Sequence, residues 1–456
     1  MLKKMMEDSV HNIYFKSPVF MQHALTSIYG YKQKKERYNS MYRGFFENFT
    51  VGTVKPEHCL LELMHHLKGN ISAYRDIDID EGNVMGSFLA LPMTVKAQLR
   101  NELADRSHEE GKLRIARTSG TSGATLTVYE SERDWTMRMA YLDVIKYRHG
   151  VMPFSKRASF TGREIAPPGH RKAFWRHNMA MGQMLYSSVH MTPDNVGRVY
   201  DSMRKFKPVS IDGMPSSIHM VAKYMLANGM TADWEVKAIF PTAEILLPHI
   251  IRDIEAAFGA AVIDQYASSE GAPFIYGRPS EGYTIGSETG VFEFIRAGEG
   301  VYDMIVTSFL NYATPIVRYR IGDQVEIDSD RAYLNSLVDD VRITKILGRE
   351  MDYLIASDGH KVMNVVINWI IDGLEEKVIQ FQLVQRSEDR VVVNMVVEPE
   401  FDRDVDEAIM RDRMERKLGT GMAYIFNYMD DIPKGKNGKI RFIINDLAKK
   451  AETPLK

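Results

Sequence analysis

Thr118, Ser119, Gly120, Thr121, Ser122 and Gly123 stand in a row as TSGTSG. Glycines let backbone N–H groups converge on one point and hydroxyls add donors, so such a loop can wrap phosphate oxygens. Surface connectors share this composition, and the loop alone does not choose between the two uses. The Walker spacing GxxxxGK[ST] is absent, because no lysine follows Gly123 in the required place. Three ionisable residues further along sit in tight polar settings: Glu270 ends YASSE, Asp323 ends YRIGD, and Lys439 lies within PKGKNGKIR. A glutamate can ligate a hard cation such as magnesium. An aspartate can accept from two adjacent hydroxyls, because it accepts in two directions. An ammonium can offset charge on a reacting phosphate. Each residue also has an ordinary reading. Glu270 could be a solvated residue after a strand, Asp323 a turn residue after Gly322 closing a hairpin toward Gln324 to Ile327, and Lys439 a solvated turn lysine.

The elements that would position these residues are readable in outline. Lys237 to Phe240 is strand-like, Pro241 to Glu244 is a loop, and Leu247, Ile251, Ile254 and Phe258 recur at helical spacing before Gly259 ends the helix. Ala261 to Tyr266 reads as the next strand, so the loop ASSEG lies at a strand's carboxyl end, where open α/β sheets place ligands. From about 112 to 330 short β-rich runs alternate with amphipathic stretches, predicting a mixed or parallel sheet. Before that, residues 1–110 form a helical leader, with helices at Cys59 to Leu67 and Val95 to Leu103. After about 345, Val378 to Val384 and Val391 to Val397 predict a hairpin around Ser387, Glu388 and Asp389, and Asp402 to Leu418 a charged helix. The last strands flank the polar turn KGKNGK. The expected division is a core over 1–345 and an α+β module over 346–456, joined near Gly348.

Composition narrows the class. The 456 residues are 45% hydrophobic and 26% charged, as in a soluble globular protein, and the net charge of -2 gives no support to nucleic-acid binding. Cys59 is the single cysteine, which excludes an intramolecular disulfide framework and multi-cysteine metal sites. His65 and His66 are adjacent and no HExxH occurs, so His-based metal catalysis is not expected. The lysines of MLKKMMEDSV are followed by Glu7 and Asp8 rather than an apolar run, and no stretch approaches the ~18 apolar residues of a spanning helix. The expectation is a cytoplasmic protein without a membrane span.

Six segments taken together resemble the adenylate-forming enzymes, the superfamily of acyl- and aryl-coenzyme A ligases. They are TSGTSG, PTAE at 241–244, YASSE at 266–270, YRIGD at 319–323, GREMD at 348–352 and PKGKNGKIR at 433–441. Within it the chain is similar to the phenylacetate–coenzyme A ligase branch, and in that branch to ligase-like proteins linked with capsular polysaccharide biosynthesis, on SSVHM at 187–191 and GMPSS at 213–217. The resemblance implies an α/β fold: a large N-terminal core of mixed β-sheets and packed helices, and a small mobile C-terminal α+β domain.

It also implies roles. Residues 118–123 would lie over the β- and γ-phosphates of ATP, with Ala124 where many relatives carry lysine. Ala243, Glu244 and Gln265 would join the nucleotide site. Tyr266 would pack on adenine, Ser269 contact the α-phosphate, and Glu270 hold magnesium, with Ala267 replacing the usual glycine. Asp323 and Arg349 would hold the ribose, and Lys439 would pair with the substrate carboxylate and the α-phosphate. Pro241, Thr242, Ala243, Gly271, Ala272 and Pro273, faced by Ser187, Ser188 and Met214, would line the acid pocket. Met351 stands at the usual hinge position, with Asp352 next.

The implied activity is ATP- and magnesium-dependent conversion of a carboxylic acid, aromatic ones included, to an acyl-adenylate with release of pyrophosphate, then acyl transfer to coenzyme A. Direct transfer to an amine or hydroxyl, such as an amino sugar or amino acid, is the alternative. A nucleotide-binding homologue without catalysis is a second, favoured by Ala124, Ala267 and Met351. A homodimer stays open.

Overall fold

The computed structural model describes residues 13–108, 111–117, 126–162, 165–167, 173–242, 246, 248–268, 270–349, 353–359, 361–363, 370–371, 373–374, 377–433 and 441–447. Thr118 to Gly123, Ala243, Glu244, Ser269, Met351, Asp352 and Lys439 fall outside the described residues.

The leader forms α1 (Val19–Arg37), α2 (Ser40–Val51), α3 (Pro56–Asn70), α4 (Val84–Leu89) and α5 (Lys96–Asn101). Pro56 opens α3 where a missing N–H leaves no bond unmade. Leu60, Leu63, Met64 and Leu67, one helical stripe, pack on Val291, Phe309 and Val317. This face of α3 is therefore part of the core. β1 (Arg114–Arg117) and β2 (Thr127–Glu130) pair antiparallel, with Arg117 opposite Thr127, so residues 118–125 connect the two strands of a hairpin. α6 (Glu132–Arg148) follows. It starts at a reciprocal cap in which Ser131 Oγ accepts from Asp134 N and Asp134 Oδ2 accepts from Ser131 N.

A six-stranded sheet contains β3 (Arg157–Thr161), β4 (Trp175–Asn178), β5 (Gln183–Ser187), β6 (Ser210–Gly213), β7 (Ala238–Pro241) and β8 (Ala261–Val262) in the order β4-β5-β3-β6-β7-β8. Every pairing except β4 with β5 is parallel. The associated helices are α7 (Pro193–Phe206), α8 (Pro215–Ala227) and α9 (Pro248–Phe258), each with proline at its first residue, which presets φ for the first turn.

The expected strand Ala261 to Tyr266 is divided between two sheets. Ile263 N donates to Ile239 O, and then β9 (Asp264–Tyr266) leaves β7 to pair antiparallel with β10 (Ile275–Arg278). A run of β-forming residues reports its conformation but not its partner strand, so the sequence could not reveal the split. β9 and β10 belong to an eight-stranded antiparallel sheet with β11 (Gly282–Ile285), β12 (Gly290–Arg296), β13 (Val301–Ser308), β14 (Tyr319–Ile327), β15 (Tyr333–Asn335) and β16 (Ile343–Arg349), in the order β15-β12-β13-β14-β16-β11-β10-β9.

β17 (Tyr353–Ile355) and β18 (Lys361–Met363) form a small hairpin. A four-stranded sheet of β19 (Val378–Ser387), β20 (Arg390–Val397), β21 (Ala423–Tyr428) and β22 (Ile443–Asn445) completes the described chain, together with α10 (Val405–Leu418). The β19–β20 hairpin turns at Glu388 and Asp389, as the sequence predicts. The last strands are not paired with each other, and the KGKNGK turn at 434–439 lies outside the described residues. The order is β21-β20-β19-β22, with β21 parallel to β20 and β22 parallel to β19, so residues 429–442 cross from one edge of the sheet to the other.

Candidate active site

The carboxyl ends of the parallel strands are level. Thr161 of β3 is opposite Ser187 of β5, Phe160 opposite Gly213 of β6, and Gly213 opposite Pro241 of β7. This register gathers Ser187, Met214 and Pro241, distant in sequence, at one edge. Ser187 Oγ lies 2.8 Å from His190 Nδ1, and His190 Nε2 lies 3.1 Å from Pro167 O. The imidazole therefore accepts from the hydroxyl and donates to the carbonyl, and burial lowers its pKa further below the usual histidine range.

Gly213 has φ of +119°, and a Cβ there would stand 2.0 Å from Phe160 O. Only glycine lets β6 turn into α8 against β3. Gly213→Ala is expected to lower stability by at least ~2 kcal/mol. A urea midpoint equal to wild type would refute this.

The chain leaving β9 makes a tight turn. Gly271 N donates to Ser268 O, Ala272 N to Ser268 Oγ, and Ser308 Oγ donates to Gly271 O at 2.6 Å, with Gly271 at φ +88°. Glu270 in this turn is only 4% exposed. Arg138 of α6 donates to Ser268 O, stands 3.4 Å from Glu130, and feels the charge of Glu270. Asn311 Nδ2, close by the Gly271 backbone, is buried and unbonded among the described residues. On the neighbouring wall Tyr266 OH donates to Asp323 Oδ2 at 2.6 Å, and Asp323 is 8% exposed. Asp323 is not a turn residue. It sits inside β14, opposite Arg349 in the register with β16, one residue after Gly322 at φ +81°.

A cavity of about 350 Å³ lies where the C-terminal sheet meets the starts of α8 and α9. Pro215, Ser216, His249 and Ile250 form one wall, and Gln380, Phe381 and Phe442 the other. The 434–440 connection is rooted here. Ile432 N donates to Gln380 Oε1, and Gln382 Nε2 donates to Arg441 O, so the residues flanking it on both sides are tied to positions two apart on β19. Lys223 of α8 also pairs with Glu398.

Protein CapK of Staphylococcus aureus is 33% identical to this chain over 451 residues, covering 95% of this chain and 99% of that one. The chain belongs to the CapK family. The CapK C-terminal domain model matches residues 354–446, the stretch containing β19 to β22. Among solved structures, 2-hydroxyisobutyryl-CoA ligase in the postadenylation state with R3-HIB-AMP superposes with a TM-score of 0.65, at 16% identity, over 87% of this chain and 90% of that one. An open conformation of the same ligase with 2-HIB-AMP and CoA gives 0.50, at 16% identity, over 86% and 91%. The CapK-family chain thus has the fold of the adenylate-forming ligases.

In this CapK-family chain the structure brings Tyr266 and Asp323 into contact, puts Glu270 four residues beyond Tyr266 in the adjoining turn, and aligns Arg349 with Asp323. Ser187, Ser188, Ala272 and Met214 are buried, whereas Thr242 is exposed and Gln265 half-buried. Arg138 and Asn311 escaped the sequence reading. Arg138 lies mid-helix without a motif, and its role depends on a turn 130 residues away. Among the described residues no group of three or more His, Cys, Asp or Glu could hold a metal, and no helix is long and apolar enough to cross a membrane. A magnesium ion that takes one carboxylate oxygen and otherwise phosphate and water needs no such cage, and buried Glu270 fits that need.

His249 gives the cavity that it lines a pH signature. Its pKa is lowered to about 4, first by burial and then by the charge of His219, whose ring is 5.7 Å away and whose Nε2 is 2.8 Å from Asp253 Oδ2. The folded protein excludes a proton that the unfolded chain takes up near pH 6.5. Stability present above pH 6.5 is therefore lost as pH falls toward 4, with a slope of up to ~1.4 kcal/mol per pH unit from this group. His249→Gln should flatten the urea midpoint between pH 6.5 and 4.5. An unchanged slope would exclude His249 as the cause.

Proposed function

We propose that this CapK-family chain is a ligase that uses ATP to activate a carboxylic acid as an acyl-adenylate. The observation that carries the reading is the Tyr266–Asp323 hydrogen bond, formed across 57 residues of chain, on a strand that runs into the turn holding buried Glu270. ATP would lie with its adenosine toward Tyr266, Asp323 and Arg349 and its phosphates toward residues 118–123 and Glu270. A substrate carboxylate at the ends of β5, β6 and β7 would then attack the α-phosphorus, expelling pyrophosphate. Holding the two reactants side by side makes the attack effectively unimolecular. Lys439, on the connection rooted at Gln380 and Gln382, would offset the charge that gathers on the phosphate oxygens. Magnesium held by Glu270 would lower the charge of the phosphate chain.

Coenzyme A is the acceptor in this reading. Met351 in place of the usual hinge residue favours a second, in which the acyl group passes directly to an amine or hydroxyl. The test is ATP–pyrophosphate exchange across a panel of carboxylic acids, with wild type and Lys439→Ala. Acid-dependent exchange that falls ~10²-fold or more in the variant is expected. Exchange without acid, or equal rates in the two proteins, would sink the mechanism. Product masses with coenzyme A and with amine acceptors would separate the two transfers.

A further inference from the structure

A second cavity, of about 830 Å³, opens between α1, the β1–β2 hairpin and α6, with Arg138 in its lining. Its lining contains five cationic side chains against two carboxylates, on a chain whose net charge is -2. Glu36 stands 3.6 Å from Arg114 and Glu130 3.4 Å from Arg138, so each carboxylate already has a cation. Burial raises the pKa of Glu130, and the charge of Arg138 acts against that shift. Lys32 and Lys112 are exposed and form no ion pair among the described residues. The guanidinium groups of Arg37 and Arg114 are both stacked on Trp135, 5.1 and 4.9 Å from the ring, which keeps two like charges side by side. Of the lining residues, Tyr29 is 59% exposed and Ile115 57% exposed.

The ammonium groups of Lys32 and Lys112, which form no ion pair among the described residues, favour a phosphate-bearing ligand, and an exposed aromatic face favours a base. The volume lies within the ~300–1,000 Å³ typical of ligand sites and far exceeds the need of one phosphate ion. We propose that this cleft binds a nucleoside diphosphate, with its phosphates against Lys32, Lys112 and Arg114 and its base against Tyr29, and that this is the nucleotide portion of the acyl acceptor. The assignment to an acceptor rests on the ligase reading above. Arg138 links the two sites, because it lines the cleft and donates to Ser268 O in the turn that carries Glu270. Coenzyme A and a nucleotide-activated sugar both offer this chemistry.

The test is calorimetry on the full chain with the ATP site saturated by α,β-methylene-ATP. Coenzyme A and UDP are each titrated into wild type and into Lys32→Glu/Lys112→Glu. One equivalent of one of them should bind beside the analogue, with affinity that falls with salt and drops about ten-fold or more in the double variant. The milder Lys32→Gln/Lys112→Gln should lose less. Tighter coenzyme A identifies a thiol acceptor, and tighter UDP a nucleotide sugar. Absence of binding once the analogue is in place, or equal affinity in all three proteins, overturns the proposal. If the analogue itself does not bind while a charge-dependent nucleotide does, the cleft stands and the ligase reading falls.

Discussion

Asp323→Asn is expected to raise the KM for ATP in the exchange reaction about 10²-fold while changing kcat much less. Asp323 is buried within β14 and already accepts from Tyr266 OH at 2.6 Å through Oδ2. A carboxylate has room for further donors, and two ribose hydroxyls would supply them. An asparagine of the same shape turns one acceptor into a donor, facing either Tyr266 or the sugar with the wrong polarity. Hydrogen bonds to a charged group contribute ~1.5–3 kcal/mol each, so losing two corresponds to about 10²-fold or more in affinity. Tyr266→Phe keeps the ring and removes the hydroxyl that makes the 2.6 Å bond. It should raise KM by about ten-fold or less, since the carboxylate remains. A KM for ATP in Asp323→Asn within two-fold of wild type would remove Asp323 from the nucleotide site.

Arg318→Met is expected to cost about 3–5 kcal/mol of stability, because it strands a buried carboxylate. Arg318 forks onto Glu293 at 2.7 and 3.0 Å, and its third nitrogen donates to Leu89 O and Leu91 O, each at 2.6 Å. Glu293 is 1% exposed and Arg318 8% exposed. The arginine also has φ of +43°, a left-handed backbone that a long side chain adopts only under such constraint. It immediately precedes β14, so this anchor helps to set where Asp323 stands. Arg318→Met combined with Glu293→Leu removes both charges and should recover much of the loss, as replacing both members of a buried pair commonly does. Urea unfolding of the single and double variants checks the pair. A double variant no more stable than Arg318→Met would mean that the carbonyl contacts at Leu89 and Leu91, not the stranded charge, account for the effect.

Local patterns were legible wherever the signal is short in range. The hairpin at Glu388 and Asp389, the helix ending at Leu418, and the β7–loop–α9 unit all follow from periodicity and terminators within a dozen or so residues. The nucleotide roles of Tyr266, Glu270 and Asp323 came from the resemblance of the six segments to the adenylate-forming enzymes, since each residue alone also had an ordinary reading.

Partner choice was not legible, because hydrogen-bond pairing and charge compensation depend on residues that meet only after folding. Nothing between Ala261 and Tyr266 reveals that the chain changes sheets at Ile263. The ordinary reading of Asp323 was a turn residue because Gly322 precedes it, yet pairing of β14 with β13 and β16 keeps it in a strand, where it accepts from Tyr266. Arg138 and the basic cleft beside it had no sequence signature at all, since its charges come from α1, β1 and α6. By itself the sequence determined which residues could do chemistry and which local elements carry them. Only the tertiary structure decided which of those residues share a wall, because that is set by sheet register and by burial across more than a hundred residues of chain.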